Sequence, residues 1–465
     1  MYMQTTPAKK GYRQNAPRLI FYLQWGLMLR HLRRVGSCRA KPVFPVDFYA
    51  NERYIFNNVY WTLAFIGVFL VPGVLSPYIS VLIRGYGFSH SILGIILGFC
   101  EAAAIASPFV MGFFADRYRC YKPVLLVSLI TGTVCGAILL VSKNLTLCAA
   151  VLPFLSFGYR AVQPLMDAIS TIKLGKDGNY GKYRAIGSLA FFTVVVFLQF
   201  TPFILPNTSR NIAFWIAFNS MVSVILITVI PSRCFINDRV SSRECPPPAT
   251  ERRSPAAPVP GTKTRAASLR HGATHKLWTP LFITGFSIIF LNRLALSPVN
   301  AFLSLYVVEQ LEWDAVGLMW ALSSGSEIPF IFLSKRLIRR FGAMPLIAFA
   351  TAAILARFAI ITLFPSRTGV VFSQLTHSVC YGVFHPAAVS FIATCVKPEQ
   401  RALGMSLYLA LGTGVPALLG ALAGGFIVER SGFRSLFLFF SIFAALALLL
   451  YFVTRKHMAR LSNEN

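Results

Sequence analysis

Long apolar stretches recur along this chain, separated by short polar breaks. Twelve of them approach or exceed the roughly 20 residues that an α-helix needs to cross the hydrocarbon core of a bilayer. They lie near residues 60–83, 91–114, 122–141, 145–169, 185–204, 211–231, 277–307, 316–334, 344–364, 369–396, 402–427 and 435–454. The pattern predicts an all-α membrane protein. The run Leu19–Leu29 is apolar but too short to span. Segment 232–276 breaks the pattern: it is rich in Pro, Arg and Ser, with Pro246, Pro247, Pro248, Arg252, Arg253, Pro255, Pro258 and Pro260. It cannot bury a core and reads as a disordered cytoplasmic linker. The expected order is a basic N-terminal extension 1–59, a six-helix half 60–231, the linker 232–276, a second six-helix half 277–454 and a cytoplasmic tail 455–465. The extension reads as a cytoplasmic tail or an upstream over-read of the start codon, with a transit peptide as the third reading.

Composition agrees with the spans. Of 465 residues, 55% are hydrophobic and 13% charged, against roughly 25% charged in soluble proteins. The net charge of +28 would suit nucleic acid, but its placement points elsewhere. Arg84, Lys143, Arg210, Arg367, Arg430 and Arg434 are the Lys and Arg residues in one set of loops, and Arg160, Arg293 and Arg357 lie within spans. All the others fall in the termini and the alternate loops. That bias is the positive-inside pattern, so both termini are expected in the cytoplasm and nucleic acid is not expected as a partner. The nine cysteines are scattered without metal-ligand spacing and read as small apolar fillers. No phosphate-binding loop, nucleophile constellation or metal set is present, so neither an enzyme nor an ATP-driven pump is expected, and no cofactor.

The two halves repeat. Leu75-Ser76-Pro77 matches Leu296-Ser297-Pro298, and Pro108-Phe109 matches Pro329-Phe330. Tyr159, Gln163 and Pro164 match Tyr381, His385 and Pro386, and Arg184-Ala185-Ile186-Gly187 matches Arg401-Ala402-Leu403-Gly404. Four matches in order at nearly constant offset predict pseudo-symmetric halves with a site between them at mid-membrane.

The stretch Gly112-Phe113-Phe114-Ala115-Asp116-Arg117 with the following Arg119 and Lys122 resembles the loop signature of the major facilitator superfamily. Arg119 stands where the family usually has Gly. The second-half counterpart, Lys335 to Gly342, keeps the bases and lacks the Asp. The resemblance covers about residues 58–455 and implies the major facilitator fold, alternating access and a functional monomer in the cell inner membrane. Asp116 and Arg117 are then expected to latch helices on the cytoplasmic side, the competing reading being plain topogenic charge. Tyr180 to Ser188, Gln374 to His377, Gly382 to His385 and Gly424 to Phe433 resemble the branch of 3-phenylpropionate, nucleoside and oligosaccharide proton symporters.

Ionisable side chains at membrane depth are costly and mark function by default. Glu101, Arg160, Asp167, Arg293, Glu327 and Arg357 stand out, with structural ion pairing as the competing reading. Glu327, Arg357, His377 and His385 fall on the eighth, ninth and tenth spans, and the set is similar to the proton-coupling cluster of the lactose permease family. That family's second carboxylate is Cys380 here, so the resemblance leaves Glu327 to carry the proton alone. Each histidine also has the reading of a plain interhelical hydrogen bond. Asp167 is expected to pair with Arg184 as a gate or as a helix-end ion pair. Arg293, beside Asn292, suits a carboxylate held by two parallel hydrogen bonds, with Arg160 and Glu101 facing it from the other half. The leading expectation is a proton-coupled symporter of a small organic solute, an aromatic or other carboxylic acid among the options. Proton-driven efflux and a non-transporting membrane sensor or assembly factor stay open.

Overall fold

The computed structural model describes residues 46–118, 120–174, 180–200, 209–235, 279–396 and 400–464. Most of the N-terminal extension, most of the linker and Arg119 lie outside the described residues. Residues 57–465 form one unit. Of the preceding unit, 1–56, residues 46–56 are described and are helical.

Among the described residues, eleven helices are long and apolar enough to cross a bilayer. They are α1 (Asn58–Gly85), α2 (His90–Arg117), α3 (Tyr121–Val141), α4 (Leu145–Leu174), α5 (Tyr180–Phe200) and α6 (Ser209–Val229), followed by α7 (Pro280–Gln310), α8 (Val316–Phe341), α9 (Ala343–Leu363), α10 (Arg367–Cys395) and a last one from Leu403 to Lys456. At 54 residues, that last helix would be roughly 80 Å long at 1.5 Å per residue, against a hydrocarbon core of about 30 Å. It breaks at Gly432, whose φ of 76° and ψ of 176° only glycine adopts readily. The two limbs, α11 (403–431) and α12 (433–456), complete twelve crossings in two six-helix halves, as the hydropathy pattern predicts.

Helix starts follow local chemistry. Thr279, Ser89 and Ser366 cap α7, α2 and α10 by accepting from the amides of Phe282, Ile92 and Gly369, and Pro280 opens α7, where its missing N–H costs nothing. Two of the boundaries that differ from the sequence expectation move basic residues into helices. α5 begins at Tyr180, so Arg184 sits inside the helix. α8 runs on to Phe341, so Lys335, Arg336, Arg339 and Arg340, read above as a loop cluster, are helical. Basic side chains complement the carbonyl end of a helix dipole, and the helix stops only at Gly342, with φ 82°.

The buried side chains form three clusters. One draws on the first half alone, including Ala115, Tyr121, Ile169 and Tyr183 from its helices and Phe235 from the short 3-10 turn after α6. A second draws on α7 to α12 alone, including Phe282, Ile347, Phe391 and Ala447. These two lie toward the basic loops. The third lies toward the opposite loops and mixes both halves, with Leu75, Tyr78, Ile96 and Leu152 against Phe302, Tyr306, Met319 and Phe437. The halves are therefore packed together at one face of the membrane and separately at the other.

Candidate functional site

Between the halves lies a cavity of about 380 Å³, within the roughly 300–1,000 Å³ range of small-molecule pockets. Repeated motifs meet around it. Ser76 and Ser297 from the two Leu-Ser-Pro copies line it, as do the matched Tyr159 and Tyr381. Helical spacing selects the other contributors. Trp320, Ser323 and Glu327 share one face of α8, and Gln374, His377 and Tyr381 share one face of α10.

The second-half wall carries a chain of charge. Arg357 of α9 is fully buried. Its Nη1 bonds His377 Nδ1 at 2.9 Å and its Nη2 donates to Gln374 Oε1 at 3.0 Å. His377 Nε2 lies 2.8 Å from Glu327 Oε1. Ser323 donates to the same Gln374 oxygen. A guanidinium has donors only, so His377 Nδ1 must accept. Its proton is then on Nε2, and Glu327 accepts it. Gln374 Nε2 and Arg357 Nε are buried without a hydrogen-bond partner among the described residues. α10 widens into a π-turn over Ser378–Val383 beside this cluster, a departure frequent at functional sites.

Arg293 of α7 lies behind the wall and also reaches the cavity. Its Nε and Nη2 donate to Asn292 Oδ1 at 3.1 and 2.9 Å, and Nη2 donates to the Cys380 carbonyl at 3.1 Å. Its guanidinium carbon lies over the Phe384 ring, 3.7 Å from the centroid. Asn292 is fixed in turn by donating to Thr351 Oγ1 at 2.7 Å. The cation is thus held by dipoles and a ring, with no carboxylate in contact among the described residues. In the first-half wall, Arg160 Nη2 pairs with Glu101 Oε1 at 3.0 Å, and both line the cavity.

Of the residues expected to act together, Glu327, Arg357 and His377 meet, whereas His385 does not join them. Its Nδ1 lies 3.0 Å from Tyr408 Oη on the neighbouring helix, and its ring stacks on Tyr381. Arg160 and Glu101 pair across the cavity wall from Arg293 and Asn292. Asp167 Oδ1 and Arg184 Nε are 3.9 Å apart, and the Arg184 guanidinium lies over the Phe69 ring. Asp116 accepts from Tyr121 Oη within its own half, and Arg117 ends α2 beside it. Those gate candidates stand at the mouth where the halves are apart. Among the described residues, neither Gly112 nor Gly181 there has an atom within 4 Å of an added Cβ.

The opposite mouth is sealed by residues the sequence reading did not single out as functional. Glu309 Oε1 takes Arg84 Nε at 2.7 Å and Glu309 Oε2 lies 2.8 Å from His90 Nε2. Glu429 accepts from the backbone amides of His90 and Ser91 at 2.6 and 3.3 Å, an acid at the N-terminus of α2. Gln199 bridges to the Asp314 carbonyl and the Leu318 amide. A signal for this seal existed: Arg84, His90, Glu309 and Glu429 are charged or titratable groups at span ends on the side that carries few charges.

Comparison with known proteins places the chain. Residues 60–439 match the MFS_1 like family. The chain is 25% identical over 431 residues to a maltose permease of Geobacillus stearothermophilus, covering 90% of this chain and 96% of that one. An uncharacterised transporter of Bacillus subtilis (strain 168), YwbF, is 23% identical over 388 residues, covering 82% and 88%. A crystal structure of the nucleoside transporter NupG superposes with a TM-score of 0.69 at 17% identity, over 86% of this chain and 98% of that one. At that identity the likeness concerns the fold.

Proposed function

We propose, from the premise that the chain belongs to the MFS_1 like family and is a multi-pass secondary transporter, not an enzyme, that it imports a small neutral polar solute together with a proton. The observation that carries the coupling is the chain Arg357–His377–Glu327. Protonating His377 at Nδ1 would break its bond to Arg357 and set two cations together. Protonating Glu327 instead turns a charge-assisted bond into a neutral one of roughly half the strength and leaves the Arg357 contact intact. Glu327 is therefore the proton carrier, and His377 with Arg357 reads its charge. Losing that charge changes how tightly α8 is held to α9 and α10, which links proton occupancy to access.

The solute class follows from what the cations already hold. Arg293 has Asn292, Cys380 and Phe384, and Arg160 has Glu101, so the carboxylate clamp expected from sequence is engaged internally. Ser76, Ser156, Ser297, Asn300, Gln374 and Thr413 offer neutral hydrogen-bonding groups instead, with Trp320, Tyr159 and Tyr381 as ring surfaces. That lining suits a sugar or glycoside, the class that the maltose permease relative is named for. With the basic side cytoplasmic, the described state is open inward, and the monomer contains the whole site.

The test is external pH in lightly buffered, de-energised cells expressing the chain, pulsed in turn with maltose, nucleosides and aromatic acids. Alkalinisation on a maltose pulse, absent in Glu327→Gln while labelled maltose still exchanges, is the expected result. Acidification would overturn symport in favour of efflux. A response confined to aromatic acids would overturn the neutral-solute reading.

A further inference from the structure

Trp320 faces the cavity on the same side of α8 as Glu327, yet its polar end points away from the coupling chain. Its Nε1 donates to Ser304 Oγ of α7 at 3.2 Å, and Ser304, 6% exposed, donates to the carbonyl of Pro77 on α1 at 2.7 Å. We propose that Trp320, Ser304 and the Pro77 carbonyl form a relay that ties the solute-facing wall to the seal, with Ser304 as its positioning residue; the proposal rests on the alternating-access reading above.

The polarity of the relay is fixed by chemistry. An indole nitrogen donates and does not accept, and a hydroxyl has one proton. With Trp320 donating to it, Ser304 must send its own proton onward, and the acceptor it finds lies in the other half of the protein. The bond to Pro77 belongs to the sealed mouth: Leu75 and Tyr78 on α1, and Phe302 and Leu303 on α7, sit in the cluster that joins the halves. Opening this mouth separates α1 from α7 and breaks the Ser304 bond. A buried hydroxyl does not lose its acceptor without cost, and how firmly it is aimed at Pro77 depends on the indole behind it. A ring-shaped solute lying on the Trp320 face moves the indole, and so loosens Ser304 from Pro77. Occupancy of the cavity thereby reaches the seal through two hydrogen bonds, without any change at Glu309 or Glu429.

The experiment reads the population open at this mouth in the full chain in lipid nanodiscs, without solute. Nitroxide labels at Leu145→Cys and Thr368→Cys, exposed positions in the first turns of α4 and α10, report the distance between halves by pulsed electron resonance, in a background without other accessible cysteines. Ser304→Ala should raise the open population roughly fivefold, the weight of one net hydrogen bond. Trp320→Phe, which keeps a ring in place, should raise it by a smaller factor. The double variant should match Ser304→Ala alone, because both changes cut one path. Effects that multiply in the double variant would overturn the relay. So would unchanged distances in single variants whose thermal unfolding matches the parent. Because no solute is present, failure of the neutral-sugar or proton-symport reading would leave this result unaffected, and the two can fail separately.

Discussion

Gly94→Ala should pry open the mouth that the described state holds shut. α2 and α11 cross there with almost no side-chain material between them. A Cβ on Gly94 would lie 2.6 Å from the Ala421 carbonyl oxygen and 2.8 Å from the Gly425 Cα. Ordinary contact begins at 3.4 Å, so the shortfalls are roughly 0.8 and 0.6 Å, and the obstructing atoms are backbone that no rotamer change can move. The helices must separate or tilt. Overpacking of this kind costs about 1–3 kcal/mol, and here the cost falls only on the sealed state, which shifts the equilibrium toward the state open at this mouth by roughly 5- to 150-fold. The same Leu145→Cys and Thr368→Cys label pair would read it, with solute counterflow alongside. Gly181→Ala is the control: it lies at the other mouth, where a Cβ meets nothing within 4 Å among the described residues, and should leave both readings unchanged. Equal distance distributions in Gly94→Ala, Gly181→Ala and the parent would refute the claim that this crossing holds the mouth shut.

Other changes discriminate among the charged groups. Glu309→Gln weakens the bonds to Arg84 and His90 together. Arg84 and Glu309 are 36% and 27% exposed, so solvent screening limits the effect to about 1 kcal/mol or less, read as a small rise in the same open population. His385→Asn should leave substrate-driven proton uptake intact, because His385 is bonded to Tyr408 and stands outside the Glu327 chain; loss of proton movement with normal folding would return it to the coupling site. Arg293→Lys loses the forked contact to Asn292 and the guanidinium contact over the Phe384 ring, and should lower stability by about 1–3 kcal/mol in thermal unfolding, with binding reduced in parallel.

Much of this protein is legible in its sequence because a bilayer allows few solutions. Without water to satisfy backbone groups, each apolar run of about 20 residues must be a helix, so twelve crossings follow from hydropathy and the glycine at 432 only divides the last two. The repeat of Leu-Ser-Pro and of Tyr159 and Tyr381 announced two halves around one centre. The cost of burying charge singled out Arg357 and Glu327, and the family resemblance added His377. The sequence could not say which charges meet. His377 and His385 are both on α10, two turns apart on one helical face, and both stack on Tyr381. Only the packing of α8 and α9 against the first and of α11 against the second separates a group in the charge chain from an interhelical hydrogen bond. Arg293 read as a free clamp because its partners, Cys380 and Phe384, lie about 90 residues away, and a carbonyl or a ring carries no charge to count. The seal and the Trp320 relay depend on atoms brought together across the halves, and the closeness of Gly94 to Gly425 depends on the angle at which two helices cross. Those are decided by tertiary packing, since the periodicity along one helix fixes which face is polar but not what that face will meet.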